Sequence, residues 1–352
     1  MLKDSRGNEI ASDSEILEEA RKFYTKLYSS IKPNTPKLEN YLSEIQPFEK
    51  LSDNDCRFIE GDITKDECEK ALSKMKANIS PGLDGLSNEF YKTFWPELGD
   101  LIVESYNEAF RDQVLANSQN VSILSLVFKK GDPSDIKNYR PISLTNTDYK
   151  LLAHVLANRL HTVIHKVIST DQTGYIRKRY IGTNIRKILD IVEYLDRTAH
   201  SGILLMLDFE KAFDTVEWPF LFKTLEKFNF GPQFINWIKL LYQNPCTVIK
   251  NNGWLSDKVA ISRGIRQGCP VSALLFIIIA EILALKLKQS QYEGISIKLK
   301  NKKKEMKLLQ YADDTCLFLK DETQIDTVLE IIDTFGTLAG PKLNIKKTEG
   351  PG

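Results

Sequence analysis

Three aspartates lie at positions where a carboxylate is unusual, because each one follows or interrupts an apolar run. Asp313 and Asp314 lie at the centre of KLLQYADDTCLFL, and Asp208 follows the apolar run ILLML. If the flanking runs are strands, three carboxylates meet at one sheet edge and repel one another unless a cation neutralises them. Two structural interpretations stay open: Asp313 and Asp314 can form a tight turn, and Asp208 can cap a helix.

The composition of this cluster indicates which cation it would bind. Its ligands are oxygens, without His or Cys, which favours a hard ion such as Mg²⁺ or Mn²⁺. Two such ions about 4 Å apart stabilise the attacking and leaving oxygens of an in-line displacement, so we expect phosphoryl transfer. That chemistry needs cations beside the phosphates, and the segment LVFKKGDPSDIKNYRPIS offers Lys129, Lys130 and Arg140.

Charge is unevenly distributed along the chain, although the net charge is only +1. Residues 129–187 contain 12 Lys plus Arg and 4 Asp plus Glu, whereas residues 1–60 contain 9 and 12. A basic segment in a nearly neutral chain is typical of a surface that binds a polyanion. We interpret it as a nucleic-acid contact; a surface that is basic by chance is the alternative.

The remaining composition is that of an ordinary globular chain, with 352 residues of which 42% are hydrophobic. The N-terminal MLKDSRGNEI lacks the apolar core of a signal peptide, and the apolar run 271–280 is about half the length of a membrane span. The five cysteines and four histidines show no zinc-binding spacing. We expect a soluble intracellular protein with reduced thiols, no zinc and no membrane partner.

The elements that position these residues are predicted to be of both kinds. Capping boxes at Ser12 and Thr64 indicate helices in the first 115 residues, separated by a proline-bearing linker, KPNTPKLENYL. SILSLVF and ILLML indicate buried strands, and helical patterns cover 149–168, 184–195, 217–228 and 271–289. KLKNKKK is predicted to be a solvated turn ahead of a hairpin that carries YADD. Because helices and strands do not alternate regularly, we expect an α+β fold.

Five motifs in order give the chain a resemblance to a known family. KKGDPSDIKNYRPISL, LDFEKAFD, RGIRQGCPVSALLF, YADD and AGPKLNIKKTE closely resemble the reverse transcriptase of LINE-like, non-LTR retrotransposons. The resemblance implies the fingers and palm of a right-hand polymerase, with an antiparallel palm sheet flanked by helices. It implies a helical N-terminal extension at 1–115, fingers at 116–200 and a palm at 201–352. We expect the chain to be truncated before the thumb.

The resemblance implies roles for the aspartates and their neighbour. Asp208 and Asp313 match the catalytic, metal-binding carboxylates, and Asp314 is the third member of that set. The main-chain carbonyl of Phe209 is implied as an extra metal ligand. The implied cofactors are two Mg²⁺ ions, with Mn²⁺ as an alternative.

The resemblance also implies residues that bind the incoming nucleotide. Lys130 and Arg140 match positions that hold the triphosphate, and Lys129 is their neighbour in the sequence. Gln267 matches the segment that packs on the incoming nucleotide, and Gly268 matches the part that contacts the template.

Four further residues are predicted to select or guide the substrates. Phe213 matches the gate against a ribose 2′-OH, which implies use of dNTPs; a core phenylalanine facing the sheet is the alternative. Arg177 and Arg179, in DQTGYIRKRYIGTN, are predicted to meet template phosphates, and Tyr311 is predicted to contact template or primer. The implied partners are an RNA template, a DNA primer and dNTPs, and the oligomeric state is left open.

The sequence departs from the family pattern at Lys178, Ala273 and Pro341, where a small residue, a proline and a leucine are common. None of these changes removes a catalytic group, so we expect an RNA-directed DNA polymerase that adds dNMP to a primer 3′-OH. An inactive, truncated nucleic-acid-binding scaffold is the alternative. Two further alternatives, an RNA-dependent RNA polymerase and a group II intron maturase, would use the same metal chemistry as a reverse transcriptase. Phe213 weighs against the first, and the connector at 80–91 weighs against the second.

Overall fold

The chain folds into a mixture of helices and sheets, as its sequence pattern predicts. A computed structural model describes residues 1–299, 302–345 and 347–348. The helices there are α1 (Asp13–Leu27), α2 (Thr35–Glu44), α3 (Asp53–Ile59), α4 (Lys65–Lys74), α5 (Asn88–Thr93), α6 (Trp95–Asp112), α7 (Asn117–Asn120), α8 (Thr147–Val167), α9 (Ile181–Thr198), α10 (Trp218–Lys227), α11 (Pro232–Leu241), α12 (Ser272–Gln289) and α13 (Ile325–Ala339). The strands are β1 (Leu2–Lys3), β2 (Glu9–Ile10), β3 (Val121–Phe128), β4 (Tyr139–Leu144), β5 (Ile203–Leu207), β6 (Phe209–Glu210), β7 (Cys246–Asn251), β8 (Trp254–Leu255), β9 (Val259–Ala260), β10 (Ile295–Leu299), β11 (Lys302–Met306), β12 (Leu308–Tyr311), β13 (Asp314–Leu319) and β14 (Lys342–Leu343).

These elements form two compact units, each assembled from three separate stretches of the chain. The first unit contains Met1–Ser30, Asp53–Leu160 and Gly231–Ser272. The second contains Ile31–Ser52, His161–Phe230 and Ala273–Gly352. Both units are discontinuous in sequence, whereas the extension, fingers and palm were predicted as consecutive ranges. That division into three ranges stays a prediction.

The sheet of the first unit is built around β3. Strand β4 pairs with β3 antiparallel on one side, and β7 pairs with it parallel on the other. Strands β8 and β9 both pair antiparallel with β7, and α1 packs against β7 and β9. Leu124 and Ile249 are cross-strand neighbours with no exposed surface, so the centre of this sheet is buried.

The second unit contains an antiparallel three-stranded sheet in the order β12-β13-β5. One face carries an apolar cluster in which Ile191 of α9 packs with Leu204, Leu309, Cys316 and Phe318. Side chains two apart point to the same face, and consecutive residues of β13 are buried, so both faces of this central strand are covered. This sheet carries the YADD hairpin that the sequence predicts.

Helix α12 is buried almost all the way round, which is typical of an interior helix. It runs from Ser272 to Gln289, close to the predicted 271–289. No helix in the described ranges combines the length and the apolar character that crossing a bilayer requires.

Both helix starts predicted from capping signals are confirmed. The Ser12 hydroxyl accepts a hydrogen bond from the Glu15 amide at the start of α1. At the start of α4, Thr64 and Glu67 form the reciprocal capping box, in which each side chain bonds the backbone amide of the other residue.

The predicted linker KPNTPKLENYL is wrong, because most of it forms α2. The Asn34 side chain caps this helix by accepting a hydrogen bond from the Lys37 amide. Pro36 lies in the first turn, where a residue without an N–H loses no intrahelical hydrogen bond. The proline that suggested a linker therefore marks the start of a helix.

Candidate active site

The YADD motif forms the tip of the hairpin between β12 and β13. Tyr311 pairs with Asp314, which leaves Ala312 and Asp313 as a two-residue loop. Ala312 has a φ of 56°, and two-residue hairpin loops need a positive φ at their first position. Asp313 is half-buried and Asp314 is exposed. The turn predicted from the aspartates is therefore present, and it displays both carboxylates at the end of the sheet.

Asp208 lies at the same end of this sheet. Leu207, the last residue of β5, pairs with Thr315 of β13, so Asp208 is the next residue beyond that pair and faces the start of β13. An antiparallel pair keeps opposite residues about 5 Å apart, which brings the backbones of Asp208 and Asp314 together. The described structure thus collects Asp208, Asp313 and Asp314 at one sheet edge.

Asn344 holds Asp208 in place, and the sequence did not single it out. Its backbone N–H donates to the Asp208 carbonyl at 2.7 Å, and its side-chain amide donates to the Asp208 carboxylate at 3.1 Å. These bonds extend the short β6–β14 pairing, in which Leu343 lies opposite Phe209. The only sequence signal for Asn344 is its place in the motif AGPKLN.

The carbonyl of Phe209 is directed away from β14. Asp208 is hydrogen-bonded to Asn344 through its own carbonyl, and in an antiparallel ladder successive residues turn their polar groups to opposite sides. The Phe209 carbonyl therefore lies on the side opposite the β14 ladder, where it can serve as a ligand.

The donor chemistry of this edge fits a hard divalent cation, because carboxylates and one carbonyl supply oxygens only. Asp313 also borders a small pocket with a largely apolar lining that includes Phe209, Phe276 and Pro341. In the described ranges, no three His, Cys, Asp or Glu side chains lie close enough to enclose a metal ion.

Tyr175 lies in the electrostatic field of these carboxylates. Burial, followed by the negative charge of Asp313, raises the pKa of its hydroxyl above the ordinary value. It precedes Arg177 in the segment predicted to contact the template, and nothing in the sequence singled it out. This segment therefore lies beside the carboxylate edge within the second unit.

Phe213 is half-buried, with its ring stacked on Phe276 of α12. The ring centroids are 4.4 Å apart and the planes differ by 12°. One face of Phe213 is thereby fixed against the unit, so the ring is neither a fully buried core residue nor a freely rotating surface residue. A gating role stays a prediction.

The two predicted template arginines are used differently. Arg177 is exposed, whereas Arg179 is half-buried and donates to the backbone carbonyls of Ile168, Ser169 and Gln172. Arg179 therefore braces its own segment through three hydrogen bonds, and its contact with template phosphates stays a prediction. Tyr311 is partly exposed beside the aspartates.

The predicted triphosphate residues lie in the first unit, on the hairpin between β3 and β4. Lys129, Lys130 and Arg140 are all exposed there, and Arg140 pairs with Val127 in the strand register. The Lys129 N–H donates to the Asn138 carbonyl at 2.9 Å, which closes the loop. The three cations therefore share one hairpin.

Gln267 and Gly268 dock on β4, the strand that carries Arg140. The Gln267 carbonyl accepts a hydrogen bond from the Ser143 N–H at 2.8 Å. Gly268 has a φ of 101°, and a Cβ there would lie 2.9 Å from the Ser143 carbonyl oxygen. Only glycine meets both demands, so the local packing accounts for Gly268 without any ligand.

Comparison with known proteins agrees with these features. Residues 127–350 match the family described as reverse transcriptase (RNA-dependent DNA polymerase). An uncharacterized 149 kDa protein of transposon TX1 from Xenopus laevis is 36% identical over 98% of this chain and 26% of its own length. A Pol polyprotein of the type-1 retrotransposable element R2 from Popillia japonica is 28% identical over 64% of the chain and 31% of its own. The RNA-directed DNA polymerase from mobile element jockey of Drosophila funebris is 24% identical over 78% and 29%.

The chain spans between a quarter and a third of the length of these relatives. The match to the family covers more than half of the chain and includes both the aspartate motifs and the RQG segment. The chain therefore belongs to the reverse transcriptase (RNA-dependent DNA polymerase) family, as the reverse transcriptase domain of a LINE-like, non-LTR retrotransposon protein.

Proposed function

We propose that this chain catalyses RNA-templated DNA synthesis by adding dNMP to a primer 3′-OH with release of pyrophosphate. The observation that carries the proposal is the placement of Asp208, Asp313 and Asp314 at one edge of the β12-β13-β5 sheet. These carboxylates, with the Phe209 carbonyl, would hold two Mg²⁺ ions, for which Mn²⁺ is an alternative. Bound there, the ions supply charge stabilisation for phosphoryl transfer.

The remaining side chains would bind and select the nucleotide. Lys129, Lys130 and Arg140 supply positive charge for a triphosphate, and Gln267 lies on the loop docked against the strand of Arg140. Such cations stabilise the charge of a transferring phosphoryl group. The Phe213 ring, fixed on Phe276, would exclude a ribose 2′-OH by its bulk.

Contacts to the nucleic-acid strands would come from exposed residues near the carboxylates and from the RQG loop. Arg177 is exposed and would meet template phosphates, with Arg179 in a mainly bracing role. Tyr311 and Gly268 would lie against template or primer. The partners are an RNA template, a DNA primer and dNTPs.

Primer extension on an RNA template with dNTPs and Mg²⁺ tests the proposal. We expect extension by the wild-type chain and none by the double variant Asp313→Asn, Asp314→Asn. The matched control is Asp326→Asn with Asp333→Asn, which removes the same charge from exposed positions of α13 in the same unit. Absence of extension by the wild type, together with retained RNA binding, would show a nucleic-acid-binding scaffold instead. Unchanged dNTP preference in Phe213→Ala would remove the gating role.

A further inference from the structure

The side chain of Gln172 holds the loop of the YADD hairpin with both atoms of its amide. Its Oε1 accepts a hydrogen bond from the Ala312 N–H at 2.9 Å, and its Nε2 donates to the Ala312 carbonyl at 3.2 Å. Oε1 also accepts from the Gly174 N–H at 2.8 Å. Gln172 is 0% exposed, so water does not compete for these bonds. One buried side chain thus satisfies both backbone polar groups of the residue before Asp313.

The backbone around Gln172 is itself fastened to β12. The Thr173 N–H donates to the Gln310 carbonyl at 3.0 Å, and the Gln310 N–H donates to the Asp171 carbonyl at 2.9 Å. The Asn184 side chain adds a bond to the Gln310 carbonyl at 2.9 Å. Gln172 therefore reaches Ala312 from a backbone that is already tied to the strand leading into the loop.

The chain approaches the loop so closely that position 174 has no room for a side chain. A Cβ on Gly174 would lie 2.5 Å from the Ala312 nitrogen, inside any allowed contact distance. Two adjoining features, the Gln172 amide and the bare Gly174 backbone, thus face the same peptide. Their convergence on Ala312 is a built contact rather than incidental packing.

Ala312 needs such support because its φ of 56° lies in the left-handed region, which is disfavoured for residues with a Cβ. A residue keeps that conformation only where its surroundings impose it. The conformation of Ala312 also sets the direction in which the next residue, Asp313, leaves the loop. Support for Ala312 is therefore support for the position of a predicted metal ligand.

We propose that Gln172 is a positioning residue for catalysis, which locks Ala312 in its left-handed conformation and thereby fixes the Asp313 carboxylate where divalent cations bind. The inference rests on the proposed function. It gives a role to a residue of DQTGYIRKRYIGTN that has no predicted contact with template or nucleotide. The role is exerted through the loop, because Gln172 is buried and its amide bonds only protein backbone.

The variant Gln172→Met tests this, because it preserves the side-chain length and removes both amide atoms. We expect kcat for primer extension to fall about tenfold or more, with the KM for dNTP changed less than about threefold, since misplacement of a reacting group acts on the chemical step. We also expect half-maximal activity to require more Mg²⁺. The matched control is Gln289→Met, which removes a second amide that bonds both backbone groups of one residue, Gln46, away from the hairpin.

A second substitution tests the left-handed conformation itself. Glycine adopts a positive φ readily, so adding Ala312→Gly to Gln172→Met should restore part of the lost kcat. A loss that does not depend on the conformation of Ala312 would not be recovered by that change. A kcat of Gln172→Met within about twofold of wild type, or the same loss in Gln289→Met, would overturn the proposal.

Hydrogen exchange of the wild-type chain gives a readout that requires neither activity nor a variant. An amide in an open two-residue loop exchanges rapidly, whereas the Ala312 amide bonded to a buried Gln172 should exchange at least about tenfold more slowly. Rapid exchange at Ala312 would refute the clamp. Failure of primer extension by the wild type would refute the proposed function and leave this exchange result standing.

In the hairpin of β10 and β11, lysines lie opposite one another. Lys298 and Lys303 are directly paired in the register and point to one face, Lys304 follows and points to the other, and all three are exposed. Like charges directly opposite destabilise an antiparallel pair. Glu305 is on the face of Lys303, and its carboxylate accepts a hydrogen bond from the Gly294 N–H at 2.7 Å. Within the described residues, the three lysines form no ion pair. Residues 300 and 301 of the predicted KLKNKKK turn lie outside the described residues.

The geometry points to a second nucleic-acid contact, in which these lysines bind the sugar-phosphate backbone at a distance from the carboxylates. Regularly spaced phosphates would neutralise opposed lysines that form no ion pair with the described residues. Strand β12 lies between this hairpin and the YADD loop and spans about 13 Å at ~3.3 Å per residue. The phosphates bound here would belong to a stretch of nucleic acid beyond the reacting primer end.

The salt dependence of binding tests this second proposal. With Lys298, Lys303 and Lys304 changed to Gln, we expect the slope of log K against log salt for single-stranded RNA to fall by up to about 2, as the loss of three phosphate contacts predicts. A duplex DNA probe measured in parallel shows which nucleic acid the hairpin prefers. The control changes Lys26, Lys37 and Lys50, which are exposed in the acidic first sixty residues. An equal change of slope in both variants, or none in the first, would overturn the proposal.

Discussion

Glu281 offers a test of how the buried polar network of the second unit is charged. It lies in the apolar middle of helix α12 and is 1% exposed. Its carboxylate accepts hydrogen bonds from the Ser169 N–H at 3.1 Å and from the Ser169 hydroxyl at 3.2 Å. The same hydroxyl accepts from Lys288, which also pairs with Asp171 at 2.7 Å. The substitution Glu281→Gln keeps an acceptor for Ser169 and removes the titrating group.

The size of the expected change in the free energy of unfolding follows from the pKa of the Glu281 carboxyl. Burial raises the pKa of Glu281 from 4.5 to about 7, against the opposing effect of Lys288. A raised pKa means that the native state binds the proton more tightly than the unfolded state. The free energy of unfolding therefore falls as the pH rises from the unfolded pKa to the folded pKa. At ~1.36 kcal/mol per pKa unit, the difference between 4.5 and about 7 corresponds to at most about 3 kcal/mol.

Urea unfolding between roughly pH 4 and pH 8 measures this effect. Wild type and Glu281→Gln should be similarly stable near pH 4, and the variant should become more stable by up to about 3 kcal/mol above pH 7. Glu281→Leu separates the two properties, because it also removes the titration but leaves Ser169 without its acceptor. Parallel pH profiles for wild type and Glu281→Gln would refute the assignment of the titration to Glu281.

Two further predictions concern the first unit. Gly268→Ala should lower the free energy of unfolding by about 2 kcal/mol, because it combines a strained φ with a 2.9 Å contact to the Ser143 carbonyl. The control Gly253→Ala, which has a φ of 88° and nothing within 4 Å, should lower it less. Equal losses in urea unfolding would contradict the role of the Ser143 contact. Arg159→Met should cost about 3 kcal/mol, because it removes a 6% exposed guanidinium bonded to a half-buried carboxylate and to three backbone carbonyls. Removing the exposed Lys70 of α4, the helix that carries the partner carboxylate Glu67, should change stability little, and a similar loss there would show that burial is not the cause.

Local patterns in the sequence were sufficient to predict the strands that carry the aspartates. The apolar runs before Asp208 and on both sides of Asp313 are long enough for strands only, and the adjacent aspartates provide the turn. These features depend on neighbours in the chain, so they can be read from one sequence. The helix starts at Ser12 and Thr64 were predictable for the same reason.

The contacts that hold the carboxylates could not be predicted in this way, because they join distant segments. Asn344 bonds Asp208 across 136 residues, and Gln172 bonds Ala312 across 140. An asparagine and a glutamine in polar segments give no local sign of such partners. Arg179 shows the same limit: its three bonds to backbone carbonyls could not be foreseen from a basic segment, and its contact with phosphate stays a prediction.

The bonds from Asn344 and Gln172 both act on the backbone of the aspartate edge. Like charges held together destabilise a fold, so the carboxylates must be fixed by bonds that do not depend on their own ionisation. The Asn344 N–H fixes Asp208 mainly by bonding the backbone carbonyl of Asp208. Gln172 acts on the backbone of Ala312 rather than on Asp313 itself. The main chain beside the aspartates is thereby set by neutral amides. In such an arrangement the backbone positions of Asp208 and Asp313 are a property of the fold.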